Sequence, residues 1–194
     1  LSAARDLPQE VILDALKDAL PETTFVLVGD HVRSVDGRLV RDLSLEQARR
    51  MLRGEPGSRV AVISANRPEV LSNIAAMQIV GCVGTPLHPL GSLDDHAYVL
   101  EAAEIETLVF DPSVFEELAG ALQQRVPALK NLLAFGPSGV GDDYLALAAG
   151  FEPQPLVAPE VDPDGVSSIN FTGGTTGKPK GVMSPHRASA CMTQ

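Results

Sequence analysis

Short apolar runs alternate with helical segments between Arg59 and Phe135, and this alternation restricts the fold more than any other feature of the chain. The runs have the length of buried strands, and a few residues link each one to a segment with helical spacing. Repeated strand–helix–strand units with short links favour a mostly parallel sheet with helices on both faces. The sequence therefore predicts an α/β fold.

Strands are predicted along this stretch at residues 59–64, 82–87, 106–110 and 132–135. The first intervening helix is predicted to start at the cap Asn66 and to end at Gly81. Its apolar stripe, from Val70 to Val80, is predicted to be core. Two further helices are predicted at 92–103, starting from Ser92 and Asp95, and at 113–126.

The remaining segments are less regular. A helix is predicted at 8–20, small hairpins within 25–40, and a helix from Ser44 through Leu52 that Gly54 ends. Residues 136–164 are predicted to be a surface connection with a short helix around 143–149. The last strand is predicted at 166–171, and either a strand or the start of a helix is predicted after Gly181. We divide the chain into an N-terminal helix and hairpin segment (1–56), an α/β subdomain (57–165), and the last strand with the segment after it (166–194).

A run of glycines, hydroxyls and lysines follows the last predicted strand, in the order Thr172-Gly-Gly-Thr-Thr-Gly-Lys-Pro-Lys180. Glycines let the backbone bend sharply and present N–H groups without a Cβ in the way. Hydroxyls add further donors and lysines add positive charge, so the run can surround the phosphates of a nucleotide. A run placed directly after a strand lies at the carboxyl edge of a sheet, where open α/β sheets bind ligands.

The run matches neither of two common nucleotide motifs. Pro179 follows Gly177-Lys178, and Thr172 stands where the P-loop signature has its first glycine. The pattern G-x-G-x-x-G is absent from the run as well. By composition alone, the run could equally be a flexible turn with incidental lysines. The order of its residues distinguishes such a turn from a phosphate-binding loop.

The order from Ile169 to Val182 closely resembles the phosphate loop of the adenylate-forming superfamily, whose pattern is Thr-Ser-Gly-Thr-Thr-Gly-x-Pro-Lys-Gly. That superfamily contains acyl-CoA synthetases, aryl-CoA ligases, adenylation domains of peptide synthetases and beetle luciferases. The chain departs from the pattern at Gly173, where serine is usual, and His186-Arg187 matches the usual continuation. The stretches 57–63, 66–69 and 79–86 resemble the family more loosely. The resemblance covers residues 23–194 and corresponds to the first part of the family's large N-terminal domain.

The resemblance implies a phosphate site with eight members: Thr172, Gly173, Gly174, Thr175, Thr176, Gly177, Lys178 and Lys180. It implies a ligase in which a carboxylate attacks the α-phosphate of ATP, with Mg²⁺ bridging phosphates, to give an acyl-adenylate and pyrophosphate. Coenzyme A is the expected acceptor of the acyl group, and a fatty acid is the default substrate because such members are numerous. Lys180 is expected to support the loop or to reach a phosphate. No catalytic or metal-binding residue can be assigned, and we expect this stretch alone to be inactive.

Two alternatives stay open. The protein could be an acyl-adenylate ligase or a peptide-synthetase adenylation domain that passes the acyl group to a carrier protein. It could instead be a non-enzymatic interaction module built on a degenerate ligase half, whose unpaired sheet edges would favour self-association.

The composition limits the classes of partner and the location that we expect for the protein. A net charge of −10 argues against a nucleic-acid surface, although after Asp164 there are three basic residues and no acidic one. The chain has two cysteines without CxxC spacing and no apolar run long enough to span a bilayer, so we expect a soluble, cytoplasmic protein. Because it begins at Leu1 and stops in a helical pattern, we expect a piece of a longer protein.

The scattered titratable residues favour structural roles. No two of the four histidines have metal-ligand spacing; His96 is predicted at the surface, and His186 is predicted to pack near the loop. Cys82 is predicted to be a small buried apolar residue, and Cys191 has no partner that would activate it. The adjacent pairs Asp94-Asp95 and Glu116-Glu117 are predicted to lie on solvated helix faces.

Overall fold

A computed structural model of the chain describes residues 49–50, 52–151, 161–173 and 178–191. Several predictions lie outside the described residues: the helix at 8–20, the hairpins within 25–40 and the helix start at Ser44. Gly174, Thr175, Thr176 and Gly177 of the glycine-rich run lie outside them too. The division at 56/57 and 165/166 stays a prediction.

Strands and helices alternate through the described ranges. The strands are β1 (Arg59–Ile63), β2 (Val83–Pro86), β3 (Thr107–Phe110), β4 (Asn131–Ala134), β5 (Asp142–Asp143), β6 (Val166–Thr172) and β7 (Lys180–Pro185). The helices are α1 (Pro68–Val80), α2 (Leu93–Ala102), α3 (Pro112–Arg125), α4 (Tyr144–Ala149) and α5 (His186–Cys191). Of the helices in these ranges, none is both long and apolar enough to cross a membrane.

The strands form one sheet in the order β5-β4-β3-β1-β2-β6-β7. Every neighbouring pair is parallel except β6 and β7, which are antiparallel. β1 lies inside the sheet, where Val60 is in register with Gly84 of β2 and with Thr107 of β3. The predicted mostly parallel sheet is confirmed.

Both faces of the central strands are buried, which explains their continuous apolar sequence. Ala61 and Ile63 of β1 belong to a core that α2 and α3 cover, whereas Val60 belongs to a second core that α1 and α4 cover. The same alternation along β3 places Leu108 in the first core and Val109 in the second. Helices on both faces of the sheet are therefore confirmed as well.

Several helix ends follow the sequence signals. Ser92 and Asp95 form a reciprocal capping box at the start of α2, and Gly81 ends α1 with a φ of 79°. The predicted cap of α1 is wrong by one residue. Arg67 is the N-cap, without a side-chain capping bond, and Pro68 takes the first helical position. The helical segment before β1 ends differently too, since Arg53, not Gly54, takes the left-handed conformation, with a φ of 52°.

Two predictions for single residues have opposite outcomes. Cys82 is buried as predicted, and burial raises the pKa of its thiol to about 12. His96 is only 2% exposed, so its predicted surface position is wrong. The side chain lies against Gly91, where an added Cβ would come within 2.7 Å of the imidazole Cε1. Burial disfavours the charged imidazolium and lowers the pKa of His96.

An ion-pair cluster joins the carboxyl ends of β1 and β3. Nη1 of Arg67 lies 2.9 Å from Oδ1 of Asp111, and the same guanidinium donates to both carboxylate oxygens of Glu69, at 3.1 and 3.2 Å. Asp111 is 2% exposed, and it also caps α3 by accepting from the backbone N–H of Ser113. Burial alone would raise the pKa of the Asp111 carboxyl. The hydrogen bonds from Ser113 and Arg67 outweigh burial, so its pKa lies below the usual 3.8.

We predict that Asp111→Asn lowers the free energy of unfolding by about 1 to 3 kcal/mol at neutral pH. Asparagine still caps a helix, so the substitution removes mainly the charge that faces Arg67. Because the pKa of Asp111 is depressed in the folded protein, its contribution is present above pH 3.8 and is lost as the pH falls through the folded value. Urea unfolding at several pH values should therefore show the two proteins converging in acid.

Asp94→Asn is the matched control, because Asp94 pairs with Arg125 through a side chain that is 78% exposed. Exposed pairs contribute little, so this variant should unfold like the parent at every pH. A difference for Asp111→Asn that does not depend on pH would contradict the role assigned to its charge.

Candidate functional site

A hairpin carries the glycine-rich run to the carboxyl edge of the parallel sheet. β6 pairs with β2 at Gly84 and Ser168 and continues beyond it, and β7 returns antiparallel to it. The segment after Gly181 is therefore a strand first, and the helix α5 follows it. The last cross-strand pair is Thr172 with Lys180, where the Thr172 hydroxyl donates to the Lys180 carbonyl oxygen at 3.4 Å. This pair closes the base of the run.

Four of the eight predicted site residues are described, and they form the two ends of the run. Thr172, Gly173, Lys178 and Lys180 are all exposed to solvent. A Cβ added at Gly173 would meet nothing within 4 Å, so the serine usual in the family would fit there. The structure thus brings these four residues, including both predicted lysines, to one loop base.

Tyr98 of α2 contacts this loop base, and the sequence reasoning missed it. Its hydroxyl donates to the Pro179 carbonyl oxygen at 3.1 Å, and Nζ of Lys178 lies 4.9 Å from the ring centroid. Its ring also meets Phe171 of β6 edge-to-face, with centroids 6.4 Å apart. Periodicity places Tyr98 on a helix, but nothing local in the sequence indicates a partner about 80 residues away.

A cleft of about 770 Å³ opens between α1 and the sheet, at the carboxyl ends of β1 and β2 and beside Ser167, Ser168 and Asn170 of β6. Leu71 and Ile74 of α1 form part of its apolar wall and are 46% and 39% exposed. Polar groups line it from β6, at Ser168 and Asn170, and from the residues after β1. Apolar walls with a few polar groups are typical of small-molecule sites.

The cleft corrects one expectation about α1. The stripe from Val70 to Val80 was predicted to be core throughout, but only part of it packs against the sheet. Ala76, Ile79 and Val80 are buried, whereas Leu71 and Ile74 face the cleft. The apolar stripe is wider than the area of α1 that packs against the sheet. The apolar side chains outside this area form a wall of the cleft.

Asp94, Asp95 and Glu117 are exposed, as predicted, whereas Glu116 is half-buried. Most of these carboxylates have structural partners. Asp95 belongs to the capping box, and Asp94 pairs with Arg125. Glu116 accepts from the Ser138 hydroxyl and from the Gly139 N–H, which fixes the turn before β5. Near the hairpin, the Asp162 carboxylate accepts a hydrogen bond from the Asp164 N–H and so begins a turn. The Asp164 carboxylate forms an ion pair with Arg187 of α5, which stabilises this turn. These groups stabilise elements and are not catalytic candidates.

The comparison with family models gives a match over residues 18–194, to the AMP-binding enzymes. The match includes the hairpin, the cleft and the sheet that supports them. The chain belongs to the AMP-binding enzyme family. Its resemblance to the adenylate-forming ligases, drawn from the order of residues in the loop, is confirmed.

Individual relatives agree with this assignment. The medium/long-chain-fatty-acid–CoA ligase FadD8 of Mycobacterium tuberculosis is 45% identical over 175 residues, which are 87% of this chain and 30% of that protein. Amide bond synthetase McbA from Marinactinospora thermotolerans has a TM-score of 0.65 at 35% identity, over 79% of this chain and 30% of that one. ATP-bound MatB from Rhodopseudomonas palustris has a TM-score of 0.62 at 27% identity, over 84% and 32%. The chain thus spans about a third of the length of these proteins.

Two glycines of the hairpin should respond differently to the same substitution. A Cβ at Gly181 would lie 2.9 Å from Cγ2 of the buried Ile169, whereas the position at Gly173 is open. We predict that Gly181→Ser destabilises the protein by about 1 to 3 kcal/mol, as overpacking does. Gly173→Ser should leave the melting temperature unchanged.

Differential scanning calorimetry of the two variants beside the parent measures both effects. Equal melting temperatures for the two serine variants would show that the hairpin is not packed against Ile169 as the structure has it.

Proposed function

We propose that the full-length protein containing these residues activates a carboxylic acid with ATP, giving an acyl-adenylate and pyrophosphate. The observation that carries this proposal is the family's phosphate loop, in the family's order, with its base closed by Thr172 and Lys180 at the carboxyl edge of a parallel sheet. Solved relatives include an ATP-bound member, which supports ATP as the nucleotide in this proposal.

In the proposed reaction, a carboxylate oxygen forms a bond to the α-phosphorus while the bond from that phosphorus to the bridging oxygen breaks. Pyrophosphate leaves with the electron pair. The loop residues Thr172, Gly173, Gly174, Thr175, Thr176, Gly177 and Lys178 are proposed to bind the β- and γ-phosphates. Lys180 is proposed to reach a phosphate from the loop base. Fixed donors and positive charges stabilise the charge that develops on the leaving pyrophosphate.

Mg²⁺ belongs to the proposal only as an ion that arrives with the triphosphate. In the described ranges, no three His, Cys, Asp or Glu side chains converge on a point where they could hold a metal ion. We assign no step to the ion here.

A fatty acid and coenzyme A are the proposed substrate and acceptor. The 45% identical relative is a medium/long-chain-fatty-acid–CoA ligase, and the wall formed by Leu71 and Ile74 suits an apolar ligand. An amide bond synthetase is also among the relatives, so the acceptor varies within the family. Transfer to a carrier protein is the alternative, and failure to form acyl-CoA from free CoA would favour it. A cytoplasmic location completes the proposal.

An interaction module built on a degenerate ligase half is the second candidate. The observation in its favour is the outer strand β7, which exposes Val182 and Met183 at 50% and 66%. Apolar side chains on an exposed edge strand favour association with another chain. Such a module would associate without activating any acid. A monodisperse monomer in sedimentation would count against it.

ATP–pyrophosphate exchange with a panel of carboxylic acids tests the enzymatic proposal. We expect exchange with medium- or long-chain fatty acids, and we expect Lys180→Ala to reduce it by about 100-fold or more, the usual cost of removing a donor to developing charge. The melting temperature should stay close to that of the parent, because Lys180 is exposed.

Lys130→Ala is the matched control. Lys130 pairs with Glu106 at the amino ends of β3 and β4, on the opposite edge of the sheet from the loop, so exchange should be unchanged. No exchange with any acid would defeat the enzymatic proposal. A Lys180→Ala variant that loses stability as steeply as activity would show that Lys180 is structural.

A further inference from the structure

Tyr98 contacts the chain on both sides of the loop. Phe171 lies on the incoming strand β6, whereas Lys178 and Pro179 lie immediately before the outgoing strand β7. One half-buried ring on α2 meets all three, through an edge-to-face contact, a cation–π contact and a hydrogen bond. The loop base is thereby attached to a helix that belongs to the main core.

The contact with Lys178 restricts where a positive charge can lie. A lysine at an exposed loop position has many rotamers, and ordering it when a ligand binds costs conformational entropy. The Tyr98 ring attracts the ammonium group before any ligand is present, because Nζ lies 4.9 Å from the ring centroid. The family's pattern allows any residue at position 178, so the contact between Lys178 and Tyr98 is a property of this chain's own residues.

The contact with Pro179 acts on the backbone. The Tyr98 hydroxyl holds the Pro179 carbonyl at 3.1 Å, directly before Lys180. Proline fixes its own φ, so holding its carbonyl fixes the direction in which the chain enters β7. Both contacts therefore constrain the outgoing side of the loop at adjacent residues.

We propose that Tyr98 is a positioning residue for the phosphate loop, which sets the place of the Lys178 charge and of the Pro179 backbone before ATP binds. The proposal rests on the proposed function, because it assigns Tyr98 a part in binding the same nucleotide. Tyr98 itself acts through Lys178 and Pro179. Preorganisation of this kind improves affinity by reducing the ordering cost of binding.

The test uses Tyr98→Leu and Tyr98→Phe in the full-length protein. Tyr98→Leu removes the ring and the hydroxyl, and we expect the KM for ATP to rise about two- to thirty-fold, the range of a cation–π contact. The KM for the carboxylic acid should not change. Tyr98→Phe keeps the ring over Lys178 and should recover most of the loss.

A double-mutant cycle with Lys178→Met separates positioning from general destabilisation. If Tyr98 acts through Lys178, Tyr98→Leu should raise the KM for ATP much less in the Lys178→Met background than in the parent. Val99→Ala is the matched control: its side chain is buried in the same helix, so it should lower the melting temperature and leave the KM for ATP unchanged.

An unchanged KM for ATP in Tyr98→Leu, or an equal increase in both backgrounds, would overturn the proposal. A decrease would overturn it too, since the ring would then compete with the phosphates for Lys178. Isothermal titration calorimetry with MgATP on the same variants gives dissociation constants that need no turnover. If the parent binds ATP but shows no exchange with any acid, the proposed function fails while the calorimetry still decides the role of Tyr98. A parent that binds no ATP overturns both.

Discussion

Hydrogen bonding of β6 to β2 is the interaction on which the site depends, because it attaches the loop hairpin to the sheet. β2 lies next to β1, and the central strands are buried on both faces between two helical layers. Such a platform is rigid, so a strand paired with it leaves the sheet in a fixed direction. The antiparallel return through β7 then closes the loop at Thr172 and Lys180. Tyr98 adds a second attachment from the helical layer.

The Arg67–Asp111 ion pair lies where the strand order of the sheet reverses. The strand order reverses between β1 and β3, since the chain goes from β1 to β2 on one side and from β3 to β4 on the other. In open α/β sheets, the crevice at such a reversal is the usual ligand site. Here Arg67 and Asp111 bridge the ends of β1 and β3. The cleft at β1, β2 and β6 is next to this pair, and Arg67 forms part of its lining.

Local signals in the sequence were sufficient for strands β1 to β4 and β6, for the capping box of α2 and for Gly81, because each depends on neighbouring residues or on a short repeat. The short edge strand β5 was not predicted. The loop was also recognisable, because its characteristic residues follow one another in a single stretch of the sequence. His96, the exposed part of the α1 stripe and the contacts of Tyr98 were not predictable in this way. Each depends on which distant segments pack together. The cap of α1 was misplaced for the same reason, since Arg67 takes that position with its guanidinium held by Asp111, 44 residues away.

A crystal structure of the full-length protein with MgATP tests the central claim most directly, because it shows where the triphosphate lies. We predict phosphate oxygens within hydrogen-bonding distance of the loop between Thr172 and Lys180, with the Tyr98 hydroxyl still bonded to the Pro179 carbonyl. A triphosphate bound away from this loop, for example against Arg67 at the ends of β1 and β3, would contradict it.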